Sequence, residues 1–228
     1  MKENDINNSD AYVLGAGGQA RQAAAIFSAI YPDLYVSAFL DNDPKNVGSK
    51  VNKIPVMDES VLHSLDPKDF FVVNGLGRPS RRRAIQKLIA DGCRFLELKH
   101  PLSTIGPFVE IWDGTIVQAG VLITTNVKIG KFVLLDLGVT VGHDVNIDDF
   151  TTVAPGSNIS GNVTIGSGTW IGAGTVIIEG VSVGDNTIVG AGSVVTKNLP
   201  SNTLAYGSPA KKIKEIEDVS EYLKRHDR

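Results

Sequence analysis

Residues 159–195 read ISGNVTIGSGTWIGAGTVIIEGVSVGDNTIVGAGSVV, and an aliphatic residue returns every six positions. Followed both ways, the series is Ile105, Ile111, Val117, Ile123, Ile129, Leu135, Val141, Ile147, Val153, Ile159, Ile165, Ile171, Ile177, Val183, Val189 and Val195, without one insertion. Four residues after each aliphatic stands Val, Thr or Ser, until Leu199. Gly follows the aliphatic at 106, 130, 142, 166, 172, 184 and 190. A six-residue unit cannot bury its own aliphatic, but stacked turns of chain place each one against its copies above and below. Gly in such an array reads as the corner residue, in conformations that β-branched side chains resist.

Upstream the period changes. AYVLG (11–15), YVSAFLD (35–41) and FFVVNGLG (70–77) read as strands, and Gln19–Tyr31 and Pro79–Ala90 as helices. Strands alternating with helices indicate a small parallel α/β sheet. Downstream of Pro200, SNTLAYGSPAKKIKEI reads as an exit loop and EDVSEYLKRHDR as a polar terminal helix. The expected division is a flexible tail over 1–10, an α/β domain over 11–101, a repeat domain over 102–200, and an exit loop with C-terminal helix over 201–228.

Composition excludes several functions. With 22 basic against 25 acidic residues the net charge is −3, which argues against a nucleic-acid partner. The single cysteine, Cys93, allows neither an internal disulfide nor a zinc knuckle. No apolar run reaches the roughly 18 residues of a membrane span, and the polar opening MKENDINNSD lacks the apolar core of a signal peptide. The expected location is the cytoplasm.

Between the first strand and first helix lies Gly15-Ala16-Gly17-Gly18-Gln19-Ala20, a G-x-G-x-x-A pattern with Asp41 ending the second strand. Glycines there let backbone N–H groups approach a phosphate at a helix N-terminus. A tight βα turn explains the same residues. About 90 residues are too few for a two-halved dinucleotide fold, which favours a mononucleotide or nucleotide sugar over NAD.

An α/β domain carrying LGAGGQA, FLDNDP and NGLG, followed by an uninterrupted hexad array with VTVGHDVNIDD, IGAGTVI, VGAGSVV and GSPAK, resembles the bacterial nucleotide-sugar acetyltransferases with hexapeptide repeats. That family includes UDP-4-amino-sugar (bacillosamine pathway) and GDP-perosamine N-acetyltransferases, with sialic acid O-acetyltransferase relatives. The resemblance covers roughly residues 11–213. It implies a left-handed parallel β-helix with three hexads per coil, here five full coils and part of a sixth. It also implies acetyl-CoA as co-substrate, a nucleotide-linked amino sugar (UDP-4-amino type) as acceptor, no metal, and a homotrimer with sites between subunits. Acetylation of a sugar hydroxyl is the alternative reaction, and a GDP- or dTDP-linked sugar the alternative acceptor.

Of four histidines only His143, in VGHDVN (141–146), lies inside the array. One histidine cannot make a three-histidine zinc site, and no cysteine in the array can carry an acyl group. Acetyl transfer to an amine requires a proton acceptor, a role suited to a neutral imidazole near neutral pH. An adjacent carboxylate can hold its tautomer. The resemblance makes His143 the base and Asp144 its partner. A solvated corner pair is the competing reading.

The resemblance also implies substrate contacts at Gly15, Ala16, Gly17, Gly18, Gln19, Asp41, Asn42, Gly77, Arg78 and Asp136. It implies cofactor contacts at Thr152, Gly161, Ala173, Ala191, Lys197, Lys211 and Lys212. Two positions depart from the family: Thr152 stands where many relatives carry a second histidine, and Asp136 where some carry Asn. Asp136 could hold a substrate ammonium or face solvent, and each of the three lysines could belong to a solvated tail.

Overall fold

The computed structural model describes residues 9–77, 82–217 and 219–224. The described residues form two compact units, the first over 9–77 and 83–99 and the second over 82, 100–217 and 219–224.

The first unit is built on β1 (Asp10–Leu14), α1 (Gly18–Ile30), β2 (Val36–Leu40), β3 (Lys50–Val51), β4 (Ile54–Met57), β5 (Phe70–Asn74), α2 (Arg82–Ala90) and β6 (Phe95–Leu96). The sheet order is β3-β4-β2-β1-β5-β6, parallel except for the β3/β4 hairpin. β5 is buried along its whole length, which fits its unbroken apolar run FFVV. α1 buries Ala20, Ala23, Ala24 and Phe27, a stripe of 3 and 4 residue steps. β1 begins at Asp10, inside the segment expected to be a tail. Most of that tail, and Pro79, lie outside the described residues. The β3/β4 hairpin and β6 had no counterpart in the sequence reading. Its turn residues Asn52 and Lys53 both have positive φ (49° and 70°), a primed turn without the glycine that signals one.

The second unit is the expected left-handed parallel β-helix. The first of its three faces includes strands Ile116–Val117, Leu134–Leu135, Thr152–Val153, Trp170–Ile171 and Ile188–Val189. The second has six strands, from Thr104–Ile105 through Leu122–Ile123, Thr140–Val141, Asn158–Ile159 and Val176–Ile177 to Val194–Val195. The third has five, from Val109–Ile111 to Ser182–Val183. Register repeats every 18 residues, as in Ile129↔Ile147↔Ile165. The hexad aliphatics thus form columns in one continuous core, with Ile129, Ile147 and Ile165 each at most 1% exposed. Burying one such side chain contributes about 1.5–3 kcal/mol.

The residues four places on also face inward, and where they are Thr their hydroxyls tie coils together. Thr115 Oγ1 donates to the Gly130 carbonyl (2.7 Å) and accepts from Val133 N–H (3.0 Å). Thr151 Oγ1 likewise donates to Gly166 O at 2.8 Å.

The expected corner role of the glycines needs correction. Those directly after the aliphatic do not have positive φ. A methyl on Gly142 would stand 2.7 Å from Gly161 N, and one on Gly166 2.6 Å from Asp185 N, so these glycines permit close stacking of coils. The left-handed corner residue comes two places later, and is Gly, Asn, Asp or Phe according to the coil.

The segment after Pro200 is not a loop. Thr203–Gly207 and Ala210–Glu215 pair antiparallel, and the first of them continues the first face beside Ile188–Val189. α3 (Val219–Lys224) is less polar than its sequence suggests: buried Val219 and half-buried Tyr222 and Leu223 cluster with Trp170, Ile188, Leu204 and Ile216. That apolar ridge needed a cover, which the hairpin and α3 supply. Among the described residues, no helix is long and apolar enough to cross a membrane.

Candidate active site

His143 and Asp144 lie at the corner joining the second face to the third. Asp144 is the left-handed residue of its coil, with φ 57°, a conformation Asp tolerates far better than most side chains. The corner is held from both sides: Asp144 N–H donates to Thr125 O above (3.2 Å), and Asn162 N–H donates to His143 O from below (2.9 Å). His143 Nδ1 and Asp144 Oδ2 are 2.8 Å apart, with about half of each side chain exposed. A carboxylate accepts only, so in the neutral imidazole the proton belongs on Nδ1 and Nε2 keeps its lone pair. The pair therefore presents a proton acceptor, reachable from solvent, on a backbone fixed by coils on either side. Asn162, directly beneath Asp144, donates to Glu179 Oε1 at 3.0 Å. Neither residue drew notice in the sequence, since only the 18-residue register puts them in line with the pair.

Most of the other expected residues of this unit fall on two edges. Gly161 lies one coil below His143, and Lys197 two coils further on along the same edge. Asp136, Ala173 and Ala191 lie at the corner joining the first face to the second. Thr152 is buried on the first face between Leu134 and Trp170. A complete face thus separates the base from these groups within one chain. Asp136 has its carboxyl pKa raised by burial, partly offset by the Leu137 N–H it accepts at 2.8 Å. Lys211 and Lys212 stand on the C-terminal hairpin, and Lys212 Nζ is 2.8 Å from Glu215 Oε1.

In the first unit, strand order turns at β1, whose neighbours are β2 and β5, so the C-terminal ends of β1 and β5 flank a topological switch point. Gly15 and Gly77 lie there, Gly77 against Gln19 and Gly15 against Leu76 and Ala20. Gly15 has φ 91°, and a methyl on it would stand 2.9 Å from Leu76 Cδ2. Gly17 caps α1 in extended geometry and faces open space, with no side-chain cap on the helix. Ala16 is half-buried and Gly18 exposed beside it. Gln19 Nε2 is buried without a hydrogen-bond partner among the described residues. Gly75 went unnoticed in the sequence; a methyl on it would run into the Leu14 carbonyl and Ala20. Asp41, at the end of β2, is turned onto its own loop, accepting from Asp43 N–H (3.0 Å) and Asn46 Nδ2 (2.9 Å). Asn42 donates to buried Glu59 at 3.1 Å. Arg78 lies outside the described residues.

Residues 162–197 match the family described as bacterial transferase hexapeptide (six repeats), which defines the class: a hexapeptide-repeat transferase. Solved structures narrow it. The acetyltransferase domain of PglB from Neisseria gonorrhoeae is 31% identical over 90% of this chain and all of that one, with a TM-score of 0.83. Perosamine N-acetyltransferase from Caulobacter crescentus, solved with CoA and GDP-perosamine and with one histidine replaced by asparagine, is 30% identical over 91% of this chain and 98% of that one, TM-score 0.83. WeeI from Acinetobacter baumannii is 29% identical over 90% of this chain and all of that one, TM-score 0.84. No curated protein sequence matches the chain. The chain belongs to the nucleotide-sugar acetyltransferase family and is an acetyltransferase.

Proposed function

We propose that this enzyme moves the acetyl group of acetyl-CoA onto the amine of a nucleotide-linked amino sugar, with His143 as general base and a UDP-4-amino sugar as acceptor. The observation that carries the reading is the His143–Asp144 contact at a rigid corner, with no hydrogen bond to Nε2 among the described residues. N-acetylation is supported by the perosamine N-acetyltransferase, and acetyl-CoA by a second structure of the PglB domain that contains it. The GDP-perosamine in the Caulobacter enzyme favours a second reading, in which the nucleotide is GDP.

The chemistry asks little beyond position and proton transfer. The sugar amine attacks the thioester carbonyl, and a C–N bond forms as the C–S bond breaks. His143 Nε2 takes the proton the amine sheds and returns it to the departing sulfur, while Asp144 stabilises the imidazolium through Nδ1–H. Ala173 and Ala191 lie along an edge where methyl groups on Gly138, Gly156, Gly174 or Gly192 would meet nothing within 4 Å. That bare backbone edge fits an extended pantetheine arm. Lys197, Lys211 and Lys212 would supply charge for the cofactor phosphates.

The two-edge split calls for a second copy. The second face points Leu122 (42% exposed), Val176 and Val194 outward, flanked by Leu137 (44%) and Ile178 (39%). Three copies joined through that face would set the His143 edge of one against the Asp136–Ala191 edge of the next. The closed ring follows the usual rule for soluble homo-oligomers.

A thermal-shift screen against a UDP-4-amino sugar, GDP-perosamine and a dTDP-4-amino sugar selects the acceptor, since a ligand bound only by the native state raises apparent stability. Turnover of His143→Ala with that acceptor and acetyl-CoA then tests the base. The loss expected is about 10²–10⁴-fold with both ligands still bound. Near-normal turnover at saturation would leave VGHDVN as a corner only.

A further inference from the structure

Gly161 occupies the corner position directly beneath His143 in the next coil. A methyl on Gly161 would stand 2.6 Å from both Cε1 and Nε2 of the imidazole and 3.1 Å from Cδ2, and these are its nearest contacts. Backbone geometry does not demand glycine there, because Gly161 does not have positive φ. Close stacking of coils does not demand it either, unlike Gly142 and Gly166, whose added methyls would strike the backbone of the next coil. Equivalent corner positions hold Ala119, Ala173 and Ala191, so the β-helix itself accepts a methyl at this point of the hexad.

We infer that Gly161 is a positioning residue, kept without a side chain so that the His143 imidazole can rest over the next coil with Nδ1 on Asp144. This rests on the reading of His143 as the base. Any side chain at 161 drives the ring off, because a contact of 2.6 Å is far inside van der Waals range and the imidazole yields more readily than either backbone. The ring then swings toward solvent, the Asp144 contact breaks, and Nε2 leaves the position it holds for the proton. The fold survives, since only a half-exposed side chain moves.

Gly161→Ala tests this. Its melting temperature should match wild type, while kcat falls about 10²-fold, the scale of an ångström-sized misplacement of a catalytic group. A crystal structure of the variant should show His143 rotated away from Asp144. Because the added methyl meets His143 first, Gly161→Ala should cost nothing further in a His143→Ala background, so the double-mutant cycle should be strongly non-additive. Three results overturn the inference: a Gly161→Ala enzyme with normal kcat, a variant structure with the 2.8 Å contact intact, or losses that simply multiply. The last would mean that Gly161 acts through its own backbone or on the cofactor. An active His143→Ala enzyme would bring down the base reading itself, whereas an inactive His143→Ala beside a normal Gly161→Ala would sink this inference alone.

Discussion

Asp144 carries two loads that substitution can separate. Its backbone sits at φ 57°, and its carboxylate orients His143. Asp144→Gly removes the carboxylate and relaxes the backbone; Asp144→Ala removes the carboxylate and adds a Cβ with no polar group to compensate. The left-handed region costs an ordinary residue about 1–2 kcal/mol, which for a chain of this length is roughly 2–8 °C in melting temperature. Asp144→Asn keeps both the conformational tolerance and an oxygen for Nδ1–H. On turnover, half of each partner is in water, so the pair is worth less than a buried one, and about tenfold, near 1.4 kcal/mol, is expected for Gly or Ala. The expected rate order is Asp, then Asn, then Gly level with Ala. The expected stability order is Asp, Asn and Gly together, with Ala below. Thermal unfolding and thiol release from acetyl-CoA with the acceptor selected by the screen measure the two separately. An Ala variant as stable as the Gly variant would refute the backbone argument; a Gly variant with full turnover would refute the orienting carboxylate.

Static light scattering should report a trimer, and Val176→Lys on the second face should dissociate it with loss of activity; a wild-type monomer would sink the shared site. Burial raises the Asp136 carboxyl, so the folded state holds that proton more tightly than the unfolded chain does, and stability falls as pH rises from the ordinary carboxylate range through the raised value. Asp136→Asn should therefore melt above wild type at neutral pH, the advantage vanishing in acid, as scanning calorimetry across pH would show. Gly17→Val fits an extended backbone and open space, so the fold should persist with at most about 1 kcal/mol lost at the helix cap, while nucleotide-sugar affinity falls and acetyl-CoA affinity does not. Titration calorimetry with each ligand separates the two, and equal loss of both would indicate a folding defect.

The β-helix was legible because its cause is local and repeated. Each hexad buries one aliphatic in the core and turns one corner, so a period of six appears in the chain itself, as does the one histidine that breaks its composition. Strands β1, β2 and β5 and helix α1 were legible for the same reason, since their apolar spacing records which side each element buries. What the period cannot record is which residues of distant hexads touch. Whether a glycine serves close stacking of two coils (Gly142) or clearance for an imidazole (Gly161) depends on what lies 18 residues away, and both read as the same letter. The C-terminal hairpin was missed because its strands answer to the apolar ridge of Ile188 and Trp170, not to a pattern of their own. The division of the site between two edges is likewise a property of closure: His143 and Asp136 are seven residues apart in the chain, yet a whole face of the helix stands between them, because each hexad turns one corner.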